Sequence, residues 1–125
     1  MQRKFKVAVN RRIINKIDRD DKVQARILTQ EFENLELTPT ELADFINDGH
    51  PFCAHHEGGR KEANFRCSDV LAVDIDGGMQ FSDTLQDPYV QQYASIVYTT
   101  PSHTADDNRF RIVCPATIRN SGGDN

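Results

Sequence analysis

Apolar and polar positions alternate from the fifth residue. Phe5, Val7 and Val9 interleave with Lys4, Lys6 and Ala8, the period of two expected of a strand with one buried face. The period then lengthens. Val23, Ile27, Leu28, Phe32 and Leu35 recur at helical spacing, and Asp20 or Asp21 stands where an N-cap is needed, so a helix is predicted over 21–36. Thr38-Pro39-Thr40-Glu41 has the form of a capping box with proline near the first helical position. It opens a second helix, 40–48, with Leu42, Phe45 and Ile46 inward and Gly49 as its stop. Residues 50–66 are polar and loop-like. Val70-Leu71-Ala72-Val73-Asp74-Ile75-Asp76 reads as an apolar strand running into two acids and broken by Gly77-Gly78, with Val73 and Ile75 turned into the core. Loop and a short helix fill 80–95. A β-branched strand follows over 95–100, closed by Pro101. The turn Asp106-Asp107-Asn108 leads to a third strand, 109–114, with Phe110 and Ile112 buried and Pro115 ending it.

These elements imply an α/β or α+β fold, with strands 70–76, 95–100 and 109–114 in one sheet and the two helices packed on it. The organisation expected is a single domain over 1–125: a basic strand/helix arm at 1–37, a motif-bearing part at 38–118 and a frayed tail at 119–125. A composition that is 38% hydrophobic and 27% charged belongs to a globular chain rather than a disordered or repetitive one. No apolar run approaches the length of a membrane span, and no apolar stretch behind the charged N-terminus resembles a signal peptide. Cys53, Cys67 and Cys114 cannot all pair, which suits a reducing compartment; a cytoplasmic protein without a membrane partner is expected. Cys114, after Ile112 and Val113, is read as core packing.

The net charge of −4 conceals a division. Residues 1–26 carry nine basic residues against three acids, whereas 27–125 carry six against sixteen. A basic segment on an acidic body is either a solvated face or a contact for nucleic-acid phosphates.

Chemistry concentrates in the second half. Asp74 and Asp76, two apart on a strand, project from one face roughly 6–7 Å apart along it. Adjacent carboxylates repel unless a cation lies between them, and Mg²⁺ or Mn²⁺ suits carboxylate oxygen. The alternative is a strand end whose acids simply reach solvent. Arg109 and Arg111 repeat the geometry with opposite sign; paired guanidinium forks suit phosphate oxygens, or they bridge to nearby acids. Between these pairs, Ser102 and His103 occupy a proline-fixed turn where hydroxyl and imidazole can reach a phosphate or sugar.

In combination these segments resemble the archaeo-eukaryotic primases, most closely the primase-polymerase forms of plasmids, phages and other mobile elements. Val-Leu-Ala-Val-Asp74-Ile-Asp76-Gly looks like their hydrophobic-Asp-hydrophobic-Asp first motif. Tyr98-Thr-Thr-Pro-Ser102-His103-Thr, followed by Arg109-Phe-Arg111-Ile-Val, looks like the Ser-x-His second motif and its strand, although here Ser and His are adjacent. The run from Gly49 to Phe65, including Arg60, is similar to the segment preceding the first motif. The resemblance covers about residues 38–118. It implies a primase-like sheet and a DNA primase/polymerase-type nucleotidyltransferase acting in primer synthesis or extension. By the same resemblance Asp74 and Asp76 are metal ligands and, with His103, catalytic. Ser102, His103, Arg109, Arg111 and Arg60 are nucleotide-binding. The implied partners are nucleoside triphosphates, a single-stranded DNA template or primer-template, and a helicase or further C-terminal region. The family's third acidic motif has no counterpart after the third strand, so the match implies the N-terminal part of a catalytic core.

Two other readings compete. Asp-x-Asp-Gly after a buried strand also occurs in haloacid-dehalogenase-like phosphatases, but no lysine follows Lys61 to complete that site. A nucleotide- or nucleic-acid-binding remnant would keep the phosphate face without turnover. Separately, Cys53, His55, His56 and Cys67 fall close together, but their spacing matches no common zinc finger; a loop with incidental His and a buried Cys67 is the expectation.

Overall fold

The computed structural model describes residues 3–14, 17, 18 and 20–120. They form an α+β fold with antiparallel strand pairs, in two compact units: residues 1–70 with 117–125, and residues 71–116.

In the first unit, β1 (Phe5–Val9) is the central strand of an antiparallel sheet ordered β2-β1-β3, with β2 at Glu33–Leu37 and β3 at Phe52–Cys53. The alternation of β1 does what the period implies: Phe5, Val7 and Val9 are fully buried, joined by Leu37 and Leu42. α1 (Lys22–Gln30) is capped by Asp21, whose carboxylate accepts from the Val23 and Gln24 amides. It is shorter than the helix expected over 21–36. Phe32 and Leu35 continue the helical spacing, but Glu33–Leu37 also alternates by two, and pairing with β1 in the register Val7↔Leu35 and Phe5↔Leu37 takes it into the sheet. Tertiary pairing thus overrides local periodicity. Val23, expected on the buried face, is 68% exposed. α2 (Pro39–Asn47) carries the complete Thr38–Glu41 capping box and buries Leu42; Gly49 takes φ 89° just beyond its end.

The stretch expected as loop contains β3 and β4 (His55–His56), and β4 pairs with the start of β5 (Phe65–Asp76). A four-stranded sheet is ordered β4-β5-β7-β6, with β6 at Ile96–Thr99 and β7 at Arg109–Arg119. β5 and β7 each pass from one unit into the other.

Pro115 does not end β7, contrary to expectation. The Arg109 and Val113 carbonyls accept from Thr100 and Ser95, so odd-numbered residues of β7 turn their backbone groups toward β6. The β6 ladder stops at Ile96↔Val113, and the N–H that Pro115 lacks falls beyond it. Residues 119 and 120, expected within a frayed tail, are held in place. Arg119 is the last residue of β7, and the Asn120 amide donates to the Arg66 carbonyl at 2.9 Å. Residues 121–125 lie outside the described residues.

In the second unit, α3 (Phe81–Gln86) and α4 (Pro88–Tyr93) connect β5 to β6. Phe81 meets Phe110 edge-on at 5.3 Å, and Phe110, Val113 and Thr84 are fully buried. Val73 departs from expectation: it is 42% exposed, with Leu71 at 52%, and Ile75 is half-buried. Ladder pairing satisfies the β5 backbone whether or not its apolar side chains are covered.

Candidate functional site

Six of the seven residues singled out by sequence lie in the second unit: Asp74, Asp76, Ser102, His103, Arg109 and Arg111, while Arg60 lies in the first. There the Arg60 guanidinium stacks over the Phe32 ring at 5.5 Å.

Acids and arginines share a face, as their spacing predicts. Arg111 Nε donates to Asp74 Oδ1, and Arg111 Nη1 donates to the Tyr98 hydroxyl at 2.9 Å. The register explains the second contact, because Tyr98 is the cross-strand partner of Arg111. The guanidinium also lies 5.7 Å from the Tyr98 ring centroid. Burial alone would lower the Arg111 pKa; the Asp74 hydrogen bond and Tyr98 outweigh it and hold the group above its ordinary value. Burial pushes the Tyr98 phenol up, against the opposing pull of Arg111.

Arg109 is divided between two acids. Its Nε donates to Asp107 Oδ2 at 3.0 Å, and its Nη1 is 3.9 Å from Asp76 Oδ1. These groups are largely exposed, so the longer contact is a weak, water-screened one. The two carboxylates expected to need a cation therefore each have an arginine neighbour.

The turn before β7 sets the imidazole. His103 Nδ1 accepts the Arg109 backbone N–H at 3.1 Å, which in the neutral ring leaves the proton on Nε2. Phe81 meets the ring edge-on at 6.1 Å. Ser102 is exposed in the same turn.

Three residues of the site carried no assigned role in the sequence. Tyr98 fixes Arg111, and Asp107 holds Arg109. Asn108 staples the turns: its Oδ1 accepts from the Phe81 amide at 2.6 Å, its Nδ2 donates to the Thr104 and Ala105 carbonyls, and its own carbonyl accepts from the Gly77 amide at 3.0 Å. The Asp-Asp-Asn turn was the available signal, since such residues bond local backbone. Gly77 and Gly78 both have φ near +85°, which favours glycine. With residues 105–108 they line a small polar cavity of about 160 Å³ beside the acids.

The fit of a divalent cation follows from the donor set. Asp74 and Asp76 offer two hard carboxylates on one face, enough to share one cation with phosphate and water ligands. Among the described residues no group of three or more His, Cys, Asp or Glu gathers in metal-binding range, so the set does not fit two cations.

The Cys/His cluster is occupied by backbone. His55 Nε2 lies 3.1 Å and 2.8 Å from the Val7 and Leu35 carbonyls, and His56 Nδ1 lies 2.8 Å from the Ala54 carbonyl. The Cys53 thiol donates to Ala54 and is pushed up to about 11 by burial, which favours the thiol over a ligating thiolate. Among the described residues no helix is long and apolar enough to cross a membrane.

No family model, curated protein or solved structure matches this chain.

Proposed function

We propose that the Asp74/Asp76/Arg109/Arg111 face binds the triphosphate of a nucleotide and serves template-directed nucleotidyl transfer of the primase-polymerase type. The observation that carries the reading is the Arg111 fork, half-buried and oriented by Tyr98 on the face that also presents both aspartates. A guanidinium held in this way loses little freedom on gripping a second anion. Phosphate oxygens would replace the carboxylates at Arg111 and Arg109, while His103, with its Nδ1 engaged, would offer Nε2–H to the same group. Asp74 and Asp76 would hold one Mg²⁺ or Mn²⁺, which supplies charge neutralisation at the phosphates. Ser102, beside His103, would add a hydroxyl contact to phosphate or sugar. The acceptor of the transfer would be the 3′-hydroxyl of a nucleotide paired to a single-stranded template; its oxygen would bond to the α-phosphorus as the bond to the β-phosphate breaks, releasing pyrophosphate and the hydroxyl proton.

A second reading keeps the binding and omits the turnover. It is favoured by the pairing of both aspartates with arginines and by the two-carboxylate donor set.

Titration of a fluorescent nucleoside triphosphate, with and without Mn²⁺, against the wild type and Arg111→Ala tests the shared premise. Loss of a charge-assisted contact worth about 1.5–3 kcal/mol predicts affinity weakened about 10- to 150-fold in the variant. Equal binding by both proteins, or by neither, refutes the site. Primer synthesis on single-stranded template then separates the two readings: activity abolished by Asp74→Ala supports transfer, and binding without product supports the second.

A further inference from the structure

The first unit holds a second candidate site, remote in sequence from the acids. Arg12, Lys22, Val23, Arg26, Ile27 and Glu31 line an open groove of about 390 Å³ beside α1. Lys22 and Arg26 are four residues apart on that helix, which sets them on one face one turn apart, with Cβ atoms about 5–6 Å from each other. Both are exposed, and among the described residues neither forms an ion pair. Arg12 completes the cationic set; its Nη1 donates to Glu31 Oε1 at 3.1 Å, a contact between two solvent-accessible groups. Three cations against one carboxylate leave the groove net positive in a chain whose net charge is −4.

The apolar part of the lining narrows the ligand further. Val23 stands 68% exposed on the helix and Ile27 is half-buried beside it. An exposed branched side chain beside the cations offers an aliphatic contact for a base or sugar while the rim takes phosphates. A lone inorganic anion would use the cations and leave Val23 idle.

We infer that this groove binds the backbone of a single-stranded nucleic acid, with Lys22, Arg26 and Arg12 on phosphates and Val23 against an adjoining sugar or base. Two cations one helical turn apart can face successive phosphates of an extended strand. The groove is independent of the nucleotide site, which shares none of its residues. Its failure would leave triphosphate binding at the acid–arginine face standing, and the reverse holds too.

The test is fluorescence anisotropy of a labelled oligothymidylate titrated with the full chain over a series of salt concentrations. Each phosphate neutralised on a single strand contributes about −0.7 to the slope of log K against log salt, so three cations predict a slope near −2. Lys22→Gln with Arg26→Gln is expected to weaken binding about tenfold or more at low salt and to flatten the slope by about 1.4. Val23→Ser should weaken binding with the slope unchanged. An unaltered circular dichroism melt and unaltered nucleotide affinity in the double variant show that the fold and the other site are intact. The inference is overturned if the double variant binds with wild-type affinity and slope, if the wild type does not bind the oligonucleotide, or if inorganic phosphate at comparable concentration displaces it completely.

Discussion

Replacing Asp69 should cost more stability than any other single carboxylate substitution in the chain. Its side chain is 7% exposed, accepts the Lys6 backbone N–H at 2.9 Å through Oδ2, and accepts from Arg119 Nη2 at 2.9 Å through Oδ1. Asp69→Ala leaves the Lys6 amide without its acceptor, at about 1–3 kcal/mol. Arg119 is half-exposed and recovers hydration, so the lost pair adds on the order of 1 kcal/mol or less. The sum, about 1–4 kcal/mol, corresponds to a fall in Tm of roughly 10 °C for a chain of this size. Asp69→Asn keeps an oxygen for Lys6 and loses only the charge, so a smaller drop is expected. Acid should erase that difference. Burial alone would raise the Asp69 pKa, but the Lys6 amide and Arg119 outweigh it and hold it below the ordinary value. A depressed folded pKa gives stabilisation that is complete above the unfolded value of about 3.9 and is lost as pH falls through the folded value. Thermal melts followed by circular dichroism should therefore show the wild type above Asp69→Asn at neutral pH and the gap closing below about pH 4. An Ala variant melting within about 2 °C of the wild type, or a gap unchanged down to strong acid, would refute the reasoning.

Other perturbations follow from single contacts. Thr38→Ala removes the capping-box hydroxyl that accepts the Glu41 amide and should lower stability by about 1 kcal/mol, read from the urea midpoint. Tyr98→Phe deletes the acceptor of Arg111 Nη1; a loss of about 0.5–1.5 kcal/mol is expected in the same assay, and no change would mean that Asp74 alone positions the guanidinium. Cys53, with its thiol pushed up to about 11, is almost wholly protonated at mildly alkaline pH. Peptide mass spectrometry after brief iodoacetamide treatment should find it unmodified in the native chain and alkylated in urea.

Local signals were legible where local physics decides. The Thr38-Pro39-Thr40-Glu41 cap, the Asp21 cap and the alternation of Phe5, Val7 and Val9 all need only near neighbours, and each is realised. β2 was hidden because Phe32 and Leu35 satisfy a helical period while Leu35 and Leu37 satisfy a strand period, and the deciding partner, β1, lies far upstream. Val73 misled for a related reason: an apolar strand residue shows its period but not whether anything covers it. At the candidate site, the shared face of the two acids and the two arginines was readable from their spacing of two. That Arg111 meets Asp74 depends on β5 lying beside β7 in the sheet, and that Tyr98 rather than a second acid completes its surroundings depends on the pairing of β6 with β7 across a long turn. Arg119 reads as part of a frayed tail from its neighbours alone, because its acceptor, Asp69, lies 50 residues away.

The two units follow one another in an unequal way: residues 71–116 are contiguous, while their neighbour is built from the stretches on either side. The chain leaves through β5 and returns through β7, which are adjacent in the sheet, so departure and re-entry use strands about 5 Å apart. Such an arrangement is a cassette. A recombination event, or a designer, could exchange the acid–arginine segment for another hairpin-ended insert without rethreading the host. A protease nicking the turn at 100–108 would give two fragments, each retaining one of the paired strands, so the cut should show on a denaturing gel before it shows in a native one.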